Sequence, residues 1–548
     1  MNGLLLRRTP VTFDQKDNPF HNKTLFSLQK LLSNQDYTSN RIHETGTNKL
    51  RHFAAVVMLL VILSITGTVS AEEYHSGAGE TEAEQNRLIS LLSGYLANDL
   101  QLQSLSLTAQ SASLSDKKTN INNGIALSLS TGTMVLKSSS SGTSFTVEPT
   151  ISASIPQANN TSVSLTGTAE VSSDETVSGL EDVSLKVSTD IISGNTLARK
   201  VTLLKSSRAL LEAQRAVQDR AVSVEKEFYT ELKALLNQAA TVLTDEQDLY
   251  DDEVDFKTVV AQGYANTSST YRTAELKVRT STRTLAEAKR TFVHDQTVFA
   301  SKCGIKSSSA SDDAAFTAAW NFLPSVIPAV EGLDVSSFSK DDYTSIESAT
   351  WSKYVGELTR EADKDLTLSA SAGYTFANSN TNSDTVDTGL SLSWKGLTAT
   401  AGVSIPVASN STNAYTLGFT FTPSGIALAQ INEQQKTLDA KLEDVAISSA
   451  NDSYNTAVVS QNTTLSDLVW AKQADAEEYE TYSQLEKDMA SWYKQGVITE
   501  SDYKAAQVNK EKARITCLVN AVEFIIYNNE TKLLFHTDQG LATEGATK

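Results

Sequence analysis

The sequence is poor in the residue types that most often carry chemistry. Among its 548 residues there are two cysteines, Cys303 and Cys517. Neither sits in a CxxC pair or beside a histidine cluster, which removes the common zinc and redox motifs. Whether the two form a disulfide is left open. The six histidines are scattered, none falls in HExxH, and there is no Walker A loop and no GxSxG elbow. No catalytic residue, metal site or cofactor is therefore expected, and the chain reads as a non-enzyme. Basic residues are outnumbered, 46 Lys and Arg against 65 Asp and Glu, giving a net charge of −19. Nucleic acid is thus not an expected partner, because phosphates call for a basic stripe.

Long apolar runs are equally scarce. The strongest spans residues 53–65, with Lys49 and Arg51 before it and Val69, Ser70 and Ala71 after it. A basic flank, an apolar run of about 13 residues and small residues at the exit describe a secretory signal peptide. The run falls short of the ~20 residues that a membrane-spanning helix needs, and an inner-membrane anchor is the alternative. Residues 1–71 are read as leader and signal peptide, with cleavage before Glu72. Beyond residue 72 a membrane could be crossed only by strands, each needing ~9–11 residues of alternating pattern.

What the exported part does contain is a pattern repeated twice. The first repeat covers 72–303: a helix over 82–112, strands over 124–191, a long helix over 196–262 and a shorter one over 267–303. Ile125, Leu127 and Leu129 alternate with small polar residues, as do Val183, Leu185 and Val187, which is the strand period. From Thr196 the period changes. Leu203, Leu210, Val217 and Val224 are spaced by seven, with Leu204 and Leu211 beside them, a seam for packed, supercoiling helices. Residues 304–340 form a linker containing short structure. The second repeat covers 341–548: a short helix, strands over 366–422, a long helix over 427–494, a helix over 500–535 and a tail.

The two copies share markers. Ser193-Gly194 and Ser424-Gly425 precede the long helices, Leu197-Ala198 and Leu428-Ala429 follow, and Gln262-Gly263 and Gln495-Gly496 end them. Each Gly-to-Gly span is about 70 residues, roughly 100 Å of helix at 1.5 Å per residue. The returning helices reach only about half as far. A short helix stacked end to end on each would make up the length. Strands facing lipid cannot leave open edges, so they must close into a barrel, and several copies arranged cyclically could complete it.

The order of elements, the double repeat and the stretch Trp492-Tyr493-Lys494-Gln495-Gly496-Val497-Ile498-Thr499-Glu500-Ser501-Asp502-Tyr503-Lys504-Ala505-Ala506-Gln507 resemble the TolC family of outer-membrane efflux and secretion channels, over about residues 82–535. The resemblance implies an α+β membrane protein. Its two repeats of long coiled-coil helices plus antiparallel strands would build a trimeric outer-membrane β-barrel on an α-helical periplasmic tunnel. It implies a homotrimer in outer-membrane lipid that works with a periplasmic adaptor and an inner-membrane transporter in efflux or type I secretion. The family supplies two membrane strands per repeat. Here each repeat has up to four strand-like runs, which fits two interrupted strands, extra surface hairpins or a larger barrel.

Individual residues acquire roles from the same resemblance. Gly263 and Gly496 are turn glycines, suited to positive φ; with Tyr264, Val497 and Ile498 they are the expected adaptor-docking tips. Tyr493 and Asp502 are the expected periplasmic aperture and gate. Ile498 stands where some members carry a gating arginine, and Ala505 where a second acidic ring would lie. Thr499 and Asp502 also have capping-box spacing, which explains them without a pore. The acidic run from Asp245 to Asp255 and Glu477, Glu478 and Glu480 read either as solvated helix faces or as an electronegative tunnel entrance. Tyr374, Phe376, Trp394, Tyr415, Phe419 and Phe421 are either an interfacial girdle or ordinary strand packing. The alternative to a channel is an exported structural or adhesive protein with coiled-coil and β-rich parts. The transported substrate and the transporter partner are not encoded in any motif.

Overall fold

The computed structural model describes residues 78–132, 134–139, 142–172, 181–306, 312–377, 383–407 and 412–536. The chain divides into two units, Met1–Tyr74 and His75–Lys548, and all described residues belong to the second. The leader and signal segment expected over 1–71 and the tail beyond 536 lie outside the described residues.

Two helices open the described part, α1 (Ala78–Asn98) and α2 (Leu100–Asn122). The sequence pattern predicts one helix here, over 82–112. The chain instead breaks at Asp99, whose carboxylate accepts a hydrogen bond from the Leu102 backbone N–H; a new N-cap is worth more to the backbone there than continuity. Six strands follow: β1 (Ala126–Ser130), β2 (Met134–Ser139), β3 (Gly142–Val147), β4 (Thr150–Ile155), β5 (Thr161–Ser172) and β6 (Glu181–Ile192). Then come α3 (Asn195–Ala261) and α4 (Ser269–Lys302). A short helix α5 (Asp312–Phe322) and two 3-10 turns cross the middle segment, before α6 (Thr344–Ala362). The second set of strands is β7 (Leu366–Phe376), β8 (Thr385–Trp394), β9 (Leu397–Pro406) and β10 (Ala414–Phe421). Helices α7 (Pro423–Lys494) and α8 (Glu500–Leu534) complete the unit.

Helix α3 is the helical centre. Val217, Ala221, Val224, Phe228, Leu232, Leu235, Ala239 and Val242 are all buried, in steps of three and four, so one continuous seam faces its neighbours. Tyr95 of α1 meets Phe228 edge to face at 5.6 Å, and Phe299 of α4 lies 5.1 Å from the same ring. Cys303 is buried here and its thiol is pushed up to about 12 by burial, then by Glu231. Cys303 and Cys517 are both free thiols.

The returning helices are extended by end-to-end stacking. Lys302, the last residue of α4, pairs with Glu231 of α3, and Asn98 bonds the Lys302 carbonyl. Asp99, at the start of α2, pairs with Arg220 of α3 at 2.7 Å. Helix α2 thus continues along α3 where α4 stops. The second repeat makes the same joint. Thr344, opening α6, bonds the Leu534 carbonyl that closes α8, and Tyr343 bridges Phe535. Helix α6 then follows α7 through Arg360–Glu443 and Lys436–Asp363. The two halves meet where α3 packs on α8 and α6. The helical wall therefore runs, column by column, from α2/α4 through α3 and α6/α8 to α7.

The strands form one antiparallel sheet in the order β1-β4-β5-β6-β7-β8-β9-β10, with β2 and β3 as a hairpin paired onto the far end of β5. Strand β2 prolongs β1, and β3 leads back into β4. Each repeat therefore supplies four strands to the path, and β6 of the first repeat pairs directly with β7 of the second.

Candidate functional site

The sheet has two chemically distinct faces, built by period two, with bulges among the described residues only where β5 meets β6 and β6 meets β7. One row crosses all eight strands as Leu127, Ala153, Val163, Val187, Ala372, Thr388, Val403 and Tyr415. A parallel row runs Leu129, Ile151, Leu165, Leu185, Tyr374, Val386 and Ile405. The adjacent row on the opposite face reads Ser128, Ser152, Ser164, Lys186, Gly373, Asp387, Ser404 and Ala414. Hydroxyls pair across that face, Ser128 with Ser152 and Ser162 with Ser188, each at 2.7 Å. In a soluble protein the apolar face would be the one covered. Here Leu127, Leu417 and Phe419 are 77%, 76% and 75% exposed, and among the described residues no helix is packed across the sheet.

Curvature fixes which face is concave. On the polar face a Cβ at Gly389 would lie 2.8 Å from the Ser371 hydroxyl oxygen; at Gly402 and Gly418 it would lie 2.6 Å from the hydroxyls of Thr416 and Thr400. The hydroxyls of Ser371, Thr416 and Thr400 lean over these glycines, so a side chain there would collide with them. A hollow of about 400 Å³ opens on the same face, lined by Ser162, Ser188, Ser371, Gly402 and Thr416 among others. The apolar face is therefore the convex one. Its aromatics gather at the two ends: Trp394 and Phe421 beside the helices, Tyr374 and Phe376 at the far end. Tyr415 and Phe419 lie nearer the middle of the band.

The two ends of the path are unpaired. Strands β1 and β10 each have one neighbour in the sheet order. The helices that flank them are open too. In α2 no described side chain is buried, and Leu100, Leu107, Leu114 and Ile121, spaced by seven, are exposed. Only Ala450 and Leu468 are buried in the 72 residues of α7, which exposes Leu428, Ile431, Leu438, Leu442 and Val445 near its sheet end. Further from the sheet, α4 exposes Arg272, Arg279, Arg283 and Arg290, whereas α7 exposes Asp467, Glu477 and Glu480. The spacing of seven in α2 is present in the sequence but masked by its many serines.

The turn residues sit at the other end of the helices. Gly263 has φ +78° and Gly496 φ +74°, and a Cβ at either would meet nothing within 4 Å. Backbone conformation alone demands glycine there. Tyr264 and Val497 are exposed, and Ile498 is half-buried. Tyr493 stacks on Tyr503 at 5.4 Å and 14°, so it ties its own helical hairpin together. Asp502 completes the capping box: it accepts from the Thr499 backbone N–H at 3.0 Å and hydroxyl at 2.6 Å, and these bonds hold its carboxyl below the usual range. Among the described residues no hydrogen bond, ion pair or ring contact joins the first turn to the second. The start of α8 instead rests on α3. Ser501 donates to Asp251, and the Lys504 ammonium lies 3.6 Å from the centre of the Tyr250 ring. Sequence spacing gives no sign of this contact between the repeats. Much of the acidic run is engaged in pairs, Glu246 with Lys289 at 2.6 Å and Gln247 with Asp251 at 2.9 Å, while Glu477, Glu478 and Glu480 face solvent. Thr499→Ala is expected to lower stability by about 1 kcal/mol, the usual worth of an N-cap side chain, and thermal unfolding followed by circular dichroism measures it.

Residues 91–327 match the TP096X N-terminal domain and residues 328–538 the TP096X C-terminal domain. No curated protein matches the chain in sequence. Similar solved structures include the outer membrane protein VceC of Vibrio cholerae, with 13% identity, 84% of this chain and 99% of that one covered and a TM-score of 0.42. The MtrE outer membrane channel of Neisseria gonorrhoeae has 13% identity, 81% and 88% coverage and a TM-score of 0.42. The CmeC outer membrane channel of Campylobacter jejuni has 11% identity, 92% and 95% coverage and a TM-score of 0.40.

Proposed function

This chain belongs to the TP096X family, carrying its N-terminal and C-terminal domains in order, and we propose that it is a subunit of an outer-membrane channel for efflux or secretion. The observation that carries this reading is the sheet with an apolar convex face, a hydroxyl-lined concave face and, among the described residues, no helix packed over either. Outer-membrane barrels have that arrangement: an apolar outer band ~25 Å tall between aromatic girdles, and a polar interior. The 11 residues of β7 give ~36 Å of strand at 3.3 Å per residue, about the band height once tilted by ~45°. A secreted adhesin would gain nothing from leaving this face uncovered.

Closure is completed by further copies. A head-to-tail ring places β10 of one copy beside β1 of the next and, in the same step, α7 beside α2 and α4. Both apolar stripes begin at the sheet end of their helices, so they meet at one level. The basic side of α4 then faces the acidic side of α7. The TolC resemblance supplies the number of copies, three, and the adaptor and inner-membrane transporter that would engage the turns at Gly263 and Gly496. Efflux or secretion through such a duct needs no catalytic group in the wall.

The test is conductance of the chain from Glu72, purified in detergent and added to a planar bilayer. Tyr493→Ala and Asp502→Ala are included to loosen the turn end. Stepwise ion currents are expected from the oligomer. Leu107→Glu combined with Leu438→Glu is expected to leave the helical circular dichroism unchanged, shift the chain to monomer in light scattering and abolish the currents. Repeated absence of current from a folded oligomer would overturn the reading.

A further inference from the structure

Granting the channel reading on which it rests, we propose that all eight strands of the path line the barrel, so that the mouth is a wide, hydroxyl-lined vestibule that does not select its cargo by size. The chain could instead set four strands in the membrane and fold the rest into surface hairpins. That division would show as a break in the two-faced pattern. No break occurs: the row from Leu127 to Tyr415 contains apolar residues in both repeats, and the opposite row from Ser128 to Ala414 is mostly polar in both, with Lys186 its one long side chain. Only β2 and β3 stand off the path. The β6–β7 pairing runs from Val183–Phe376 to Ile192–Leu368, with one bulge between Asp190 and Ile192, so the two repeats share one wall.

Strand number sets barrel width. Three times eight strands, at ~4.8 Å spacing and ~40° tilt, close a ring about 48 Å across between backbones; half that number closes one about 24 Å across. The wall facing the lumen is lined mostly by Ser, Thr and Gly, whose short side chains leave most of that width open. A folded domain of about 100 residues has a radius of gyration of ~13 Å and fits within the wider ring but not the narrower one. Hydrophilic solutes up to that size would pass the mouth, leaving any sieving to the helical part. Lys186 and Asp387 lie in one row on either side of Gly373, and Asp190 faces the same hollow opposite Ser369, so the vestibule carries a small excess of negative charge.

The experiment measures the ring. In a chain carrying Cys303→Ala and Cys517→Ala, a spin label is placed at Thr388→Cys or at Ala153→Cys, one per chain, on the outer face of each repeat. Pulsed dipolar distances are then recorded in lipid. With one label per chain every distance is between copies. With each label reaching ~6 Å outward from the backbone, the proposal expects about 50 Å at both sites, the side of the triangle the labels form around the wider ring. A distance of about 30 Å at either site, as the narrower ring would give, with the trimer intact, overturns the eight-strand vestibule and leaves the channel reading standing. Absence of any dipolar distance, with monomers by light scattering, overturns both.

Discussion

Leu390→Arg is expected to abolish membrane insertion, whereas Ser391→Arg, one residue along the same strand, is expected to be tolerated. Leu390 lies on the convex face of β8, opposite Ala370 on one side and Ala401 on the other, midway between the aromatic ends marked by Trp394 and Tyr374. An arginine at the midplane on the lipid side of a barrel costs about 2–4 kcal/mol, and a ring of copies incurs that cost in every subunit. Ser391 faces the concave side, between Ser369 and Thr400, where a long cation can reach water. The measurement is the fraction of chain floating with liposomes after refolding, compared between the two variants at equal expression. Equal insertion would mean that the two faces do not meet different solvents, and the outward assignment of the apolar face would fall. A covered face in a soluble sheet predicts a different pattern: Leu390→Arg would then lower solubility in water without any liposome present.

This contrast also marks how far the fold is legible in the sequence. The alternation of Leu127 and Leu129 with serines, and of Leu390 and Leu392 with serines, announces strands with unlike faces, because a period of two leaves no other reading. The long helices are equally plain, since seven-residue spacing from Leu203 to Val224 suits nothing but a packed helix. The caps are partly readable. Thr499 and Asp502 form the box that their spacing implies, whereas Asp99, an equally good N-cap, is hidden inside a run of leucines. Strand order is harder. Strands β2 and β3 fold back within the β1–β4 pair, and the Ser138–Gly142 region between them offers no apolar marker to fix a register. The concave side is illegible too, because it depends on Gly389, Gly402 and Gly418 meeting specific hydroxyls across strands, which is a property of pairing rather than of spacing. Contacts between the repeats, such as Ser501 on Asp251, leave no periodic trace at all. The roles expected of Gly263, Tyr264, Gly496, Val497, Ile498, Tyr493 and Asp502 rest on resemblance alone. The geometry gives several of them a local structural role, as positive-φ turns, a stacked ring and a capping box.

The largest single effect in the helical wall is expected at Glu347. This residue of α6 joins the two repeats, because its carboxylate meets both Arg208 and Arg215 of α3. Arg208 binds it in a fork, with the second bond at 2.7 Å, and Arg215 at 3.2 Å. Both arginine side chains are less than a tenth exposed, and Trp351 lies under Arg208 with the guanidinium carbon 5.2 Å from its ring centre. Such a group is poor evidence of net stability, since two buried cations must first leave water. Removing the anion is another matter. Glu347→Ala leaves Arg208 with the exposed Glu212 as its carboxylate partner among the described residues and takes from Arg215 its Glu347 bond, at a cost of about 3–5 kcal/mol. Glu347→Gln keeps the shape and loses the charge, so it separates packing from electrostatics. The pH dependence follows from the direction of the shift. Burial works to raise the Glu347 pKa, but the hydrogen bonds and charges of Arg208 and Arg215 outweigh it and hold it below its ordinary 4.5. The unfolded chain therefore takes up the proton first. The contribution is fully present above the ordinary carboxylate value, and it is lost as pH falls below that value through the depressed one. Urea unfolding at pH 7 and at pH 3 reads this directly. The gap between wild type and Glu347→Gln is expected to be wide at pH 7 and narrower at pH 3; a gap independent of pH would mean that the arginines do not hold this carboxylate in its charged form.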